Sequence, residues 1–510
     1  MSKIIIEQWK NKIAAAISGA GKEKIERQKK NGKKTARERI SILVDNESFE
    51  EIDQLVTSPF LSQKIYTDGV ITGFGKINGR QVAIYAQDFT LKGGSLGKYH
   101  AKKVCKIMDM AAKIGCPIIG IIDSGGARID EGIHALGGYG EIFLRNTRYS
   151  GIVPQISLVL GPCAGGATYS PALTDFIFTT EKISQLFITG PNVIKKVTQE
   201  IVTKEELGGA HVHAEKSGLV HFVTKTEDEC FEQVKILLSY LPKNYLCQPL
   251  QENIQISDQE IDVESIVPKN SNHSYNIKDV INNLADTNSF FEIQNNFAKN
   301  IVIGFARFEN RVAGIVANQP LNLAGALDID ASCKAARFIN FCNSFSIPIV
   351  TLVDVPGFLP GVEQEHNGII RHGAKLISAY AQATVPKITV ILRKAYGGAY
   401  IVMGSKHLAA DFNYSWPTAQ IAVLGAQAAI NILHGKHLAK MDPEEQKITH
   451  DKLEKEYEEK YLNPFTAAEH GYIDAIIEPN KTRLHIIKAL EITEEKVEKM
   501  PKKKEGNCPL

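Results

Sequence analysis

The sequence predicts an α/β protein made of two homologous halves. Short apolar runs rich in β-branched residues alternate with longer helical stretches, and blocks of sequence recur at a spacing of 231 or 232 residues. Continuous apolar strands flanked by helices are typical of a sheet that is covered on both faces. A Gly-Gly-Ala turn also follows a predicted strand at the same place in each half. These three observations together indicate one duplicated α/β domain.

Three collinear pairs of blocks carry the repeat, and self-similarity at a fixed spacing decides the architecture before any single motif is weighed. The pairs are GFGKINGRQVAIYAQD from Gly73 with GFARFENRVAGIVANQ from Gly304, CPIIGIIDSGG from Cys116 with IPIVTLVDVPG from Ile347, and VPQISLVLGPCAGGATY from Val153 with VPKITVILRKAYGGAYI from Val385. We therefore expect a helical N-terminal extension over 1–23, a first domain over 24–250, a polar linker over 251–274 and a second domain over 275–510.

Each half contains predicted strands followed by glycine-rich turns and predicted helices. The strands are expected at Ile118–Ile122, Ile156–Leu160, Ile349–Val353 and Ile388–Leu392, and the clearest helices at Ala101–Ile114 and Ala331–Phe345. In sheets of this kind, ligands bind at the carboxyl ends of the strands. The glycine turns lie at those ends and are therefore the candidate functional positions. A charged stretch from Lys440 to Lys460 predicts a solvated helix.

Composition excludes several classes of function. The apolar share of 44%, the charged share of 23% and the net charge of +2 are those of a globular protein without a broad basic surface for nucleic acid or an acidic membrane. The dense basic stretch from Arg27 to Arg39 is interpreted as the solvated face of an N-terminal helix, or else as an approach surface for a polyanionic ligand.

Cysteine spacing and hydropathy give further expectations. No C-x-x-C pair is present, which argues against a zinc ribbon and a disulfide framework. Neither a signal-peptide core nor a stretch of about 18 to 20 apolar residues is found. We expect no metal in this chain and a cytoplasmic location, with a processed organellar protein as the alternative.

The glycine turns predict main-chain catalysis. Gly165-Gly166-Ala167 and Gly397-Gly398-Ala399 each follow a strand and precede a predicted helix. The missing side chains let a carbonyl oxygen approach backbone N–H groups, and the start of a helix adds its positive dipole end. This combination forms an oxyanion hole. A tight turn that needs a positive φ is the alternative, and the recurrence of the tripeptide in both halves weighs against it.

Other candidate chemistries fit less well. No G-x-x-x-x-G-K-[ST] loop accompanies the Asp354-Val-Pro-Gly357 stretch, which disfavours nucleotide hydrolysis. Ser124 is not in a G-x-S-x-G elbow, and Cys163 is expected to pack behind its turn. His211, His213 and His221 are interpreted as structural or surface residues. The scarcity of side-chain catalysts suggests that the substrate supplies its own base.

Several motifs then resemble one enzyme family. They are DSGGAR from Asp123, LGPCAGGATYSPALTD from Leu160, ITGP from Ile188, ELGGAHVH from Glu206, DVPGFLPG from Asp354, GIIRHGAK from Gly368 and RKAYGGAY from Arg393. They closely resemble the beta subunits of propionyl-CoA and acetyl-CoA carboxylases, and the similarity covers nearly the whole chain. The resemblance implies a duplicated crotonase (ClpP-like) fold.

The resemblance also implies partners and a mechanism. It implies a homo-hexamer whose active sites lie between protomers, and an alpha subunit that carries the biotin carboxylase and carboxyl-carrier domains with covalent biotin. Carboxyl transfer to the α-carbon of a coenzyme A thioester would then develop one anion on the thioester oxygen and one on the biotin carbonyl oxygen. Family residues map onto Gly165 and Gly166 for the thioester and onto Gly398 and Ala399 for biotin.

The substrate-binding positions implied by the resemblance are Gly125, Gly126, Ala127, Arg128, Cys163, Ala164, Tyr400 and Ile401. Isoleucine at 401 resembles the enzymes that accept acetyl as well as propionyl groups. Three alternatives stay open: the carboxyltransferase subunit of an acyl-CoA decarboxylase, a methylcrotonyl-CoA carboxylase beta subunit, and a catalytically silent scaffold. The third would have been favoured by loss of a glycine from either turn.

Overall fold

The structure is a computed structural model that describes residues 2–61, 64–249, 261–501 and 507. It consists of two compact units, Met1–Gln248 and Pro249–Leu510. Residues 251–260 of the predicted linker lie outside the described part of the chain. Residues 261–274 pack within the second unit, where Val263 and Val267 join the hydrophobic core.

The described part of the first unit contains one mixed sheet of eight strands. The strands are β1 (Glu50–Ile52), β2 (Val70–Ile77), β3 (Arg80–Gln87), β4 (Ile118–Ser124), β5 (Gln155–Ala164), β6 (Phe176–Thr180), β7 (Gln185–Phe187) and β8 (Phe222–Thr224). Their order is β1-β2-β3-β4-β5-β6-β8, with β7 paired to the end of β5. The first two pairs are antiparallel, and all pairs from β3 onward are parallel.

Helices surround this sheet. They are α1 (Ser2–Ser18), α2 (Lys22–Lys30), α3 (Ala36–Leu43), α4 (Lys98–Ile114), α5 (Ile133–Tyr149), α6 (Tyr169–Ala172), α7 (Pro191–Val197), α8 (Lys204–Gly208), α9 (Ala210–Glu215) and α10 (Glu227–Tyr240). Helix α4 shows why they form: Val104, Met108 and Ala111 recur at helical spacing and are buried, and Gly115 ends the helix in the left-handed region. Every residue of β4 is buried, so helices cover both faces of the sheet.

The second unit repeats the same sheet. Its strands are β9 (Phe291–Ile293), β10 (Ile301–Phe308), β11 (Arg311–Asn318), β12 (Ile349–Val355), β13 (Lys387–Tyr396), β14 (Phe412–Ser415), β15 (Gln420–Ala422) and β16 (Ala475–Ile476). The order β9-β10-β11-β12-β13-β14-β16, with β15 paired to β13, is that of the first unit strand for strand. The duplication predicted from the sequence is therefore confirmed in the topology.

The helices of the second unit are α11 (Ile277–Leu284), α12 (Ile329–Ser344), α13 (Val362–Asn367), α14 (Ile369–Gln382), α15 (Gly397–Val402), α16 (Ala426–Leu438), α17 (Pro443–Tyr461), α18 (Phe465–Glu469) and α19 (Thr482–Ile492). The predicted strands and the two predicted helices all lie within one residue of, or inside, observed elements. Helix α17 corresponds to the charged stretch that was expected to be helical and solvated, and none of its residues is buried.

The basic stretch before β1 is only partly a solvated surface. Arg27 is exposed on α2 as expected, but Lys33 and Arg39 are buried. Both contact the Asp123 carboxylate, Lys33 with its Nζ 2.7 Å from Oδ1 and Arg39 with its Nη1 2.9 Å from Oδ2. Arg39 also pairs with Glu227 of α10 at 2.8 Å. Both interpretations made from the sequence were therefore wrong for these two residues, because a charge pattern does not reveal a carboxylate some 90 residues away.

A buried lysine occupies the equivalent position in each unit. Lys103 of α4 donates to the carbonyl oxygen of Thr67 at 3.0 Å. Its counterpart Lys334 of α12 donates to four carbonyl oxygens, of which those of Phe297 and Ile301 lie at 2.7 and 2.9 Å. Burial lowers the pKa of Lys103 to about 8 and that of Lys334 to about 7. Each lysine ties the segment that leads into the first long strand of its sheet to the neighbouring helix.

Replacing Arg39 with methionine tests the buried ion-pair network. Arg39→Met leaves Glu227 without its guanidinium and Asp123 with Lys33 alone, so we expect the free energy of unfolding to fall by about 3–5 kcal/mol. Lys29→Met is the matched control because Lys29 is half-exposed and pairs with Glu38 at the surface, where an ion pair contributes at most about 1 kcal/mol. Urea denaturation measures both, and equal effects would contradict the role given to Arg39.

The lowered pKa of Lys334 predicts a pH dependence of stability. Between its folded value of about 7 and the unfolded value of about 10.4, the unfolded chain holds a proton that the folded chain has released. Raising the pH therefore favours folding, by up to about 1.4 kcal/mol per pH unit. The stability of the wild type relative to Lys334→Met should rise between about pH 7 and about pH 10 in urea denaturation. A difference that does not change with pH would refute this.

Candidate functional site

Strand β5 of the first sheet and its counterpart β13 in the second are each interrupted just before the glycine turn. In the first unit, Ile122 pairs with Val159, but the next paired residues are Ser124 and Cys163, so β5 carries two extra residues there. The second unit shows the same shift, between the Val353–Ile391 and Val355–Ala395 pairs. Bulges of this kind redirect a strand and occur next to active sites.

After the bulge, each strand pairs with a new neighbour. Strand β5 pairs with β6 up to Val159 and with β7 from Pro162 onward. Strand β13 changes in the same way from β14 to β15. The sheet therefore opens at its carboxyl edge, and the glycine turn begins where the redirected strand ends.

The two turns adopt the same backbone conformation. Gly165 and Gly397 both have a positive φ, of 62° and 59°, which a side chain would disfavour. Each starts a helical turn, a 3-10 turn at Gly165–Thr168 and helix α15 at Gly397. The first N–H groups of a helical turn have no acceptor within the helix. Each turn can thus offer adjacent N–H groups to an oxygen atom.

The structural correspondence refines the residues chosen from the sequence. Gly165 corresponds to Gly397, so Gly166 corresponds to Gly398. The predicted pair Gly165–Gly166 and the predicted pair Gly398–Ala399 therefore differ by one position within otherwise equivalent turns. Ala399 is fully buried, so its N–H group but not its methyl group is a candidate contact.

The space around the turns differs between the halves. A Cβ atom placed on Gly166 would lie 3.6 Å from the Tyr139 ring, whereas one placed on Gly398 would have no atom within 4 Å. The first turn is thus backed by an aromatic side chain of α5. In the second turn, the backbone is accessible to solvent at Gly398, which is exposed.

The predicted loop Gly125-Gly126-Ala127 lies against the first turn. Gly126 has φ 105°, and a Cβ atom there would stand 2.9 Å from the carbonyl oxygen of Ala164. Gly125 and Ala127 of this loop line an open cavity of about 510 Å³ together with Phe89, Lys92, Gly93 and Ser95. The structure therefore brings the predicted residues 125–127 and 164–166 together at one edge of the first sheet.

Arg128 continues this loop, but its guanidinium group is turned into the protein. The side chain is buried, and Nη1 lies 2.8 Å from Asp68 and 2.7 Å from Glu131. Its charge is therefore neutralised within the first unit. Arg128 still contributes to the lining of the cavity, next to the exposed Ile129.

Cys163 and Tyr400 are neutral at physiological pH. Cys163 is fully buried beneath the first turn, and burial raises the pKa of its thiol far above the usual range. Burial raises the pKa of Tyr400 to about 12, and its hydroxyl has no hydrogen-bond partner among the described residues. Tyr400 and the half-buried Ile401 lie in α15, directly after the second turn.

Two of the histidines interpreted from the sequence as structural or surface residues hold local structure. The Nε2 atom of His213 lies 2.8 Å from the carbonyl oxygen of Leu186, and His221 Nδ1 accepts the N–H of Ile177 at 3.1 Å. Over the described ranges, a metal-compatible grouping occurs at His450, Asp451 and Glu454 of the exposed helix α17. It includes none of the predicted site residues.

The sequence interpretation missed the carboxylates that hold the two bulges. Asp354 of β12 accepts from the Arg393 guanidinium at 2.9 Å and from the backbone N–H of Lys394 at 3.1 Å. In β4, Asp123 pairs with Arg39 and Lys33, and Arg39 Nη2 also donates to the carbonyl oxygen of Leu160 in the first bulge at 2.6 Å. A signal was available, because a charged residue recurs at the end of an apolar strand in both repeats.

Among the described residues, no helix has the length and apolar character to cross a membrane.

Comparison with known proteins agrees with this architecture. Residues 27–508 match the carboxyl transferase domain family. The propionyl-CoA carboxylase beta chain of Roseobacter denitrificans is 52% identical over 515 residues, with 100% of both chains covered. The methylmalonyl-CoA decarboxylase subunit alpha of Propionigenium modestum is 49% identical over 514 residues, which cover 99% of this chain and 98% of that one.

Among solved structures, a hexamer assembly of transcarboxylase 12S with methylmalonyl-coenzyme A and methylmalonic acid bound is similar to this chain. The TM-score is 0.95 at 46% identity, and 99% of this chain and 98% of that chain are covered. The crotonase-like fold and the carboxyltransferase class expected from the motifs are confirmed by these similarities. Since the family match and the similar chains span nearly the whole sequence, this protein belongs to the carboxyl transferase domain family.

Proposed function

We propose that this chain transfers a carboxyl group from carboxybiotin on a partner subunit to the α-carbon of a short-chain acyl-CoA. Propionyl-CoA and acetyl-CoA would give methylmalonyl-CoA and malonyl-CoA. The observation that carries the proposal is the repeated glycine turn, which offers main-chain N–H groups at the end of the redirected strand in both sheets. Two developing anions need two such sites, and the duplicated fold has two.

The first turn is assigned to the thioester. Its neighbour, the loop 125–127, lines a cavity large enough for part of a coenzyme A chain. We propose that the N–H groups of Gly165 and Gly166 donate to the thioester oxygen as it becomes negatively charged. Donors fixed in advance stabilise such a charge without reorganising, and loss of one typically costs about 3 kcal/mol. The first domain, 24–250, is thus proposed as the acyl-CoA side.

The second turn is assigned to biotin, and the domain 275–510 is proposed as the biotin side. The backbone at Gly398 is exposed, and a Cβ atom there would meet no atom within 4 Å, which fits a carbonyl oxygen approaching from outside. When bound, biotin supplies the carboxyl group and the base that removes the α-proton. The N–H groups of Gly398 and Ala399 would hold its carbonyl oxygen.

The assembly and the partners are part of the same proposal. We propose a homo-hexamer with active sites between protomers and an alpha subunit that carries biotin, supported by the family and by the hexamer assembly of transcarboxylase 12S. A bacterial cytoplasm is the proposed location, or the mitochondrial matrix after removal of a transit peptide. No metal in this chain takes part in the proposed chemistry.

The decarboxylase relative favours a second candidate function. A chain 49% identical to this one is a methylmalonyl-CoA decarboxylase subunit alpha, and the same turns would serve transfer of a carboxyl group from an acyl-CoA to biotin. The direction in the cell would depend on whether the partner is a biotin carboxylase or a membrane-bound decarboxylase complex. Isolating the native complex distinguishes the two.

Carboxyl transfer should be measurable in both directions with the purified chain. We expect transfer from methylmalonyl-CoA to free biotin, and carboxylation of propionyl-CoA by the carboxylated alpha subunit. Because Ile401 supplies an apolar wall rather than a charge, acetyl-CoA should also react, within the discrimination of about 1–3 kcal/mol that one methylene allows. Butyryl-CoA and methylcrotonyl-CoA complete the substrate panel. A strict requirement for propionyl-CoA would refute the acetyl proposal, and transfer to none of them would refute the function.

The role of the second turn is tested at Gly398. Proline is tolerated in the first turn of a helix but has no N–H group, so Gly398→Pro should reduce carboxyl transfer at least about 100-fold and leave equilibrium binding of acyl-CoA nearly unchanged. Gly435→Ala is the matched control, because a Cβ atom at Gly435 of α16 also meets no atom within 4 Å. It should change neither rate nor binding. Normal turnover by Gly398→Pro would contradict the assignment.

A further inference from the structure

A strained turn precedes β2 in the first unit. Thr67, Asp68 and Gly69 have consecutive positive φ values of 66°, 48° and 77°. A β-branched residue such as threonine rarely adopts this conformation. Thr67 and Asp68 are also buried, with exposures of 2% and 0%. Backbone strain of this kind persists where the surrounding structure requires it, and it is common at functional sites.

The turn presents two oxygen atoms of Asp68 to one guanidinium group. Arg128 Nη1 lies 2.8 Å from the carboxylate and Nη2 lies 3.2 Å from the main-chain carbonyl oxygen of Asp68. The same Nη1 lies 2.7 Å from Glu131. We call Asp68, Arg128 and Glu131 the Arg128 strut. All three residues are at most 5% exposed, so their ion pairs are little screened by solvent.

The strut joins three elements of the first unit. Glu131 accepts the backbone N–H of Lys98 at 2.7 Å, which holds the first residue of α4. The Asp68 carbonyl oxygen also receives His100 Nδ1 at 3.1 Å. Since the Gln87 side chain amide donates to His100 Nε2 at 3.4 Å, His100 carries its proton on Nδ1 and donates it to Asp68. Asp68 is thus held in place independently of its carboxylate.

The second unit keeps the backbone part of this arrangement and lacks the ionic part. In the first unit, the N–H of Arg128 bonds to Leu96 O at 2.9 Å, and the N–H of Leu359 bonds to Leu327 O at 2.8 Å in the second. These positions correspond at the repeat spacing of 231. Leucine therefore replaces Arg128, and Lys299 replaces Asp68. The two halves hold the same loop by different means.

We propose that the Arg128 strut fixes the loop 125–127 in the conformation that receives acyl-CoA, and that Asp68 is a positioning residue for that substrate alone. This inference rests on the function proposed above. Gly125 and Gly126 give the loop high conformational freedom, which costs entropy to restrict. The loop also lies against Ala164, directly before the first turn. A loop ordered in advance by its neighbouring arginine binds substrate without that entropic cost.

Asp68→Asn tests the proposal because it removes the charge and keeps the size and the main-chain contacts. The assay is carboxyl transfer from methylmalonyl-CoA to free biotin, catalysed by the full purified chain. We expect the KM for methylmalonyl-CoA to rise at least fivefold, while kcat and the KM for biotin stay within twofold. A merely structural defect would reduce the amount of active enzyme, and so lower the apparent kcat without raising one KM selectively.

The control is Leu359→Ala, the counterpart in the second unit, which should leave the KM for methylmalonyl-CoA unchanged. Should Asp68→Asn fail to fold, Glu131→Gln breaks the other arm of the strut and decides by the same readout. An unchanged KM for methylmalonyl-CoA, or an equal rise in both KM values, would overturn the inference. Failure of the proposed function itself would be seen differently, as absence of transfer by the wild type.

Discussion

A buried carboxylate at the end of the central strand supports each half of this protein. Asp123 and Asp354 lie at the point where the neighbouring strand bulges toward its glycine turn. Both are almost completely inaccessible to solvent, and a buried charge must be paired to be tolerated. The pairing arginine therefore holds the bulge, the bulge redirects the strand, and the redirected strand places the turn. The opening of the sheet at its carboxyl edge therefore depends on the ion pair between the buried carboxylate and its arginine.

The two halves meet this requirement with arginines from different places. Arg393 lies within the second bulge itself, whereas its counterpart in the first bulge is Gly161, where a side chain would overlap Asp123. The first half instead uses Arg39 of α3. As a result, the N-terminal segment becomes an integral part of the first unit. In the second unit, Arg393 donates to the carbonyl oxygen of His273 and stacks on Tyr275. These contacts hold the segment that directly precedes α11.

Local patterns in the sequence were sufficient for the architecture. Runs such as Ile118–Ile122 identify buried strands because both faces of the sheet are covered, and the repeat spacing doubles the evidence for each element. The glycine turns were also predictable, because a positive φ and an unpaired helix start both favour glycine. Ion pairs between distant residues leave no such trace: Arg39 and Asp123 are 84 positions apart, and Arg39 looks like part of a surface stretch. Arg128 was assigned to substrate from the family resemblance, and its ion pair with Asp68, which lies before β2, left no trace in the sequence either.

The state of the titratable groups near the turns explains why main-chain chemistry suits this site. The carboxylate of Asp123 is bound to Lys33 and Arg39, and that of Asp354 to Arg393, so both are held in buried ion pairs. Burial keeps Cys163 as a neutral thiol, and Tyr400 with a pKa of about 12 remains a neutral phenol. Among the described residues at the turns, these four side chains are thus either held in ion pairs or neutral. This arrangement fits the proposed chemistry, in which the base that removes the α-proton enters with biotin and the protein supplies N–H groups for the charges that develop.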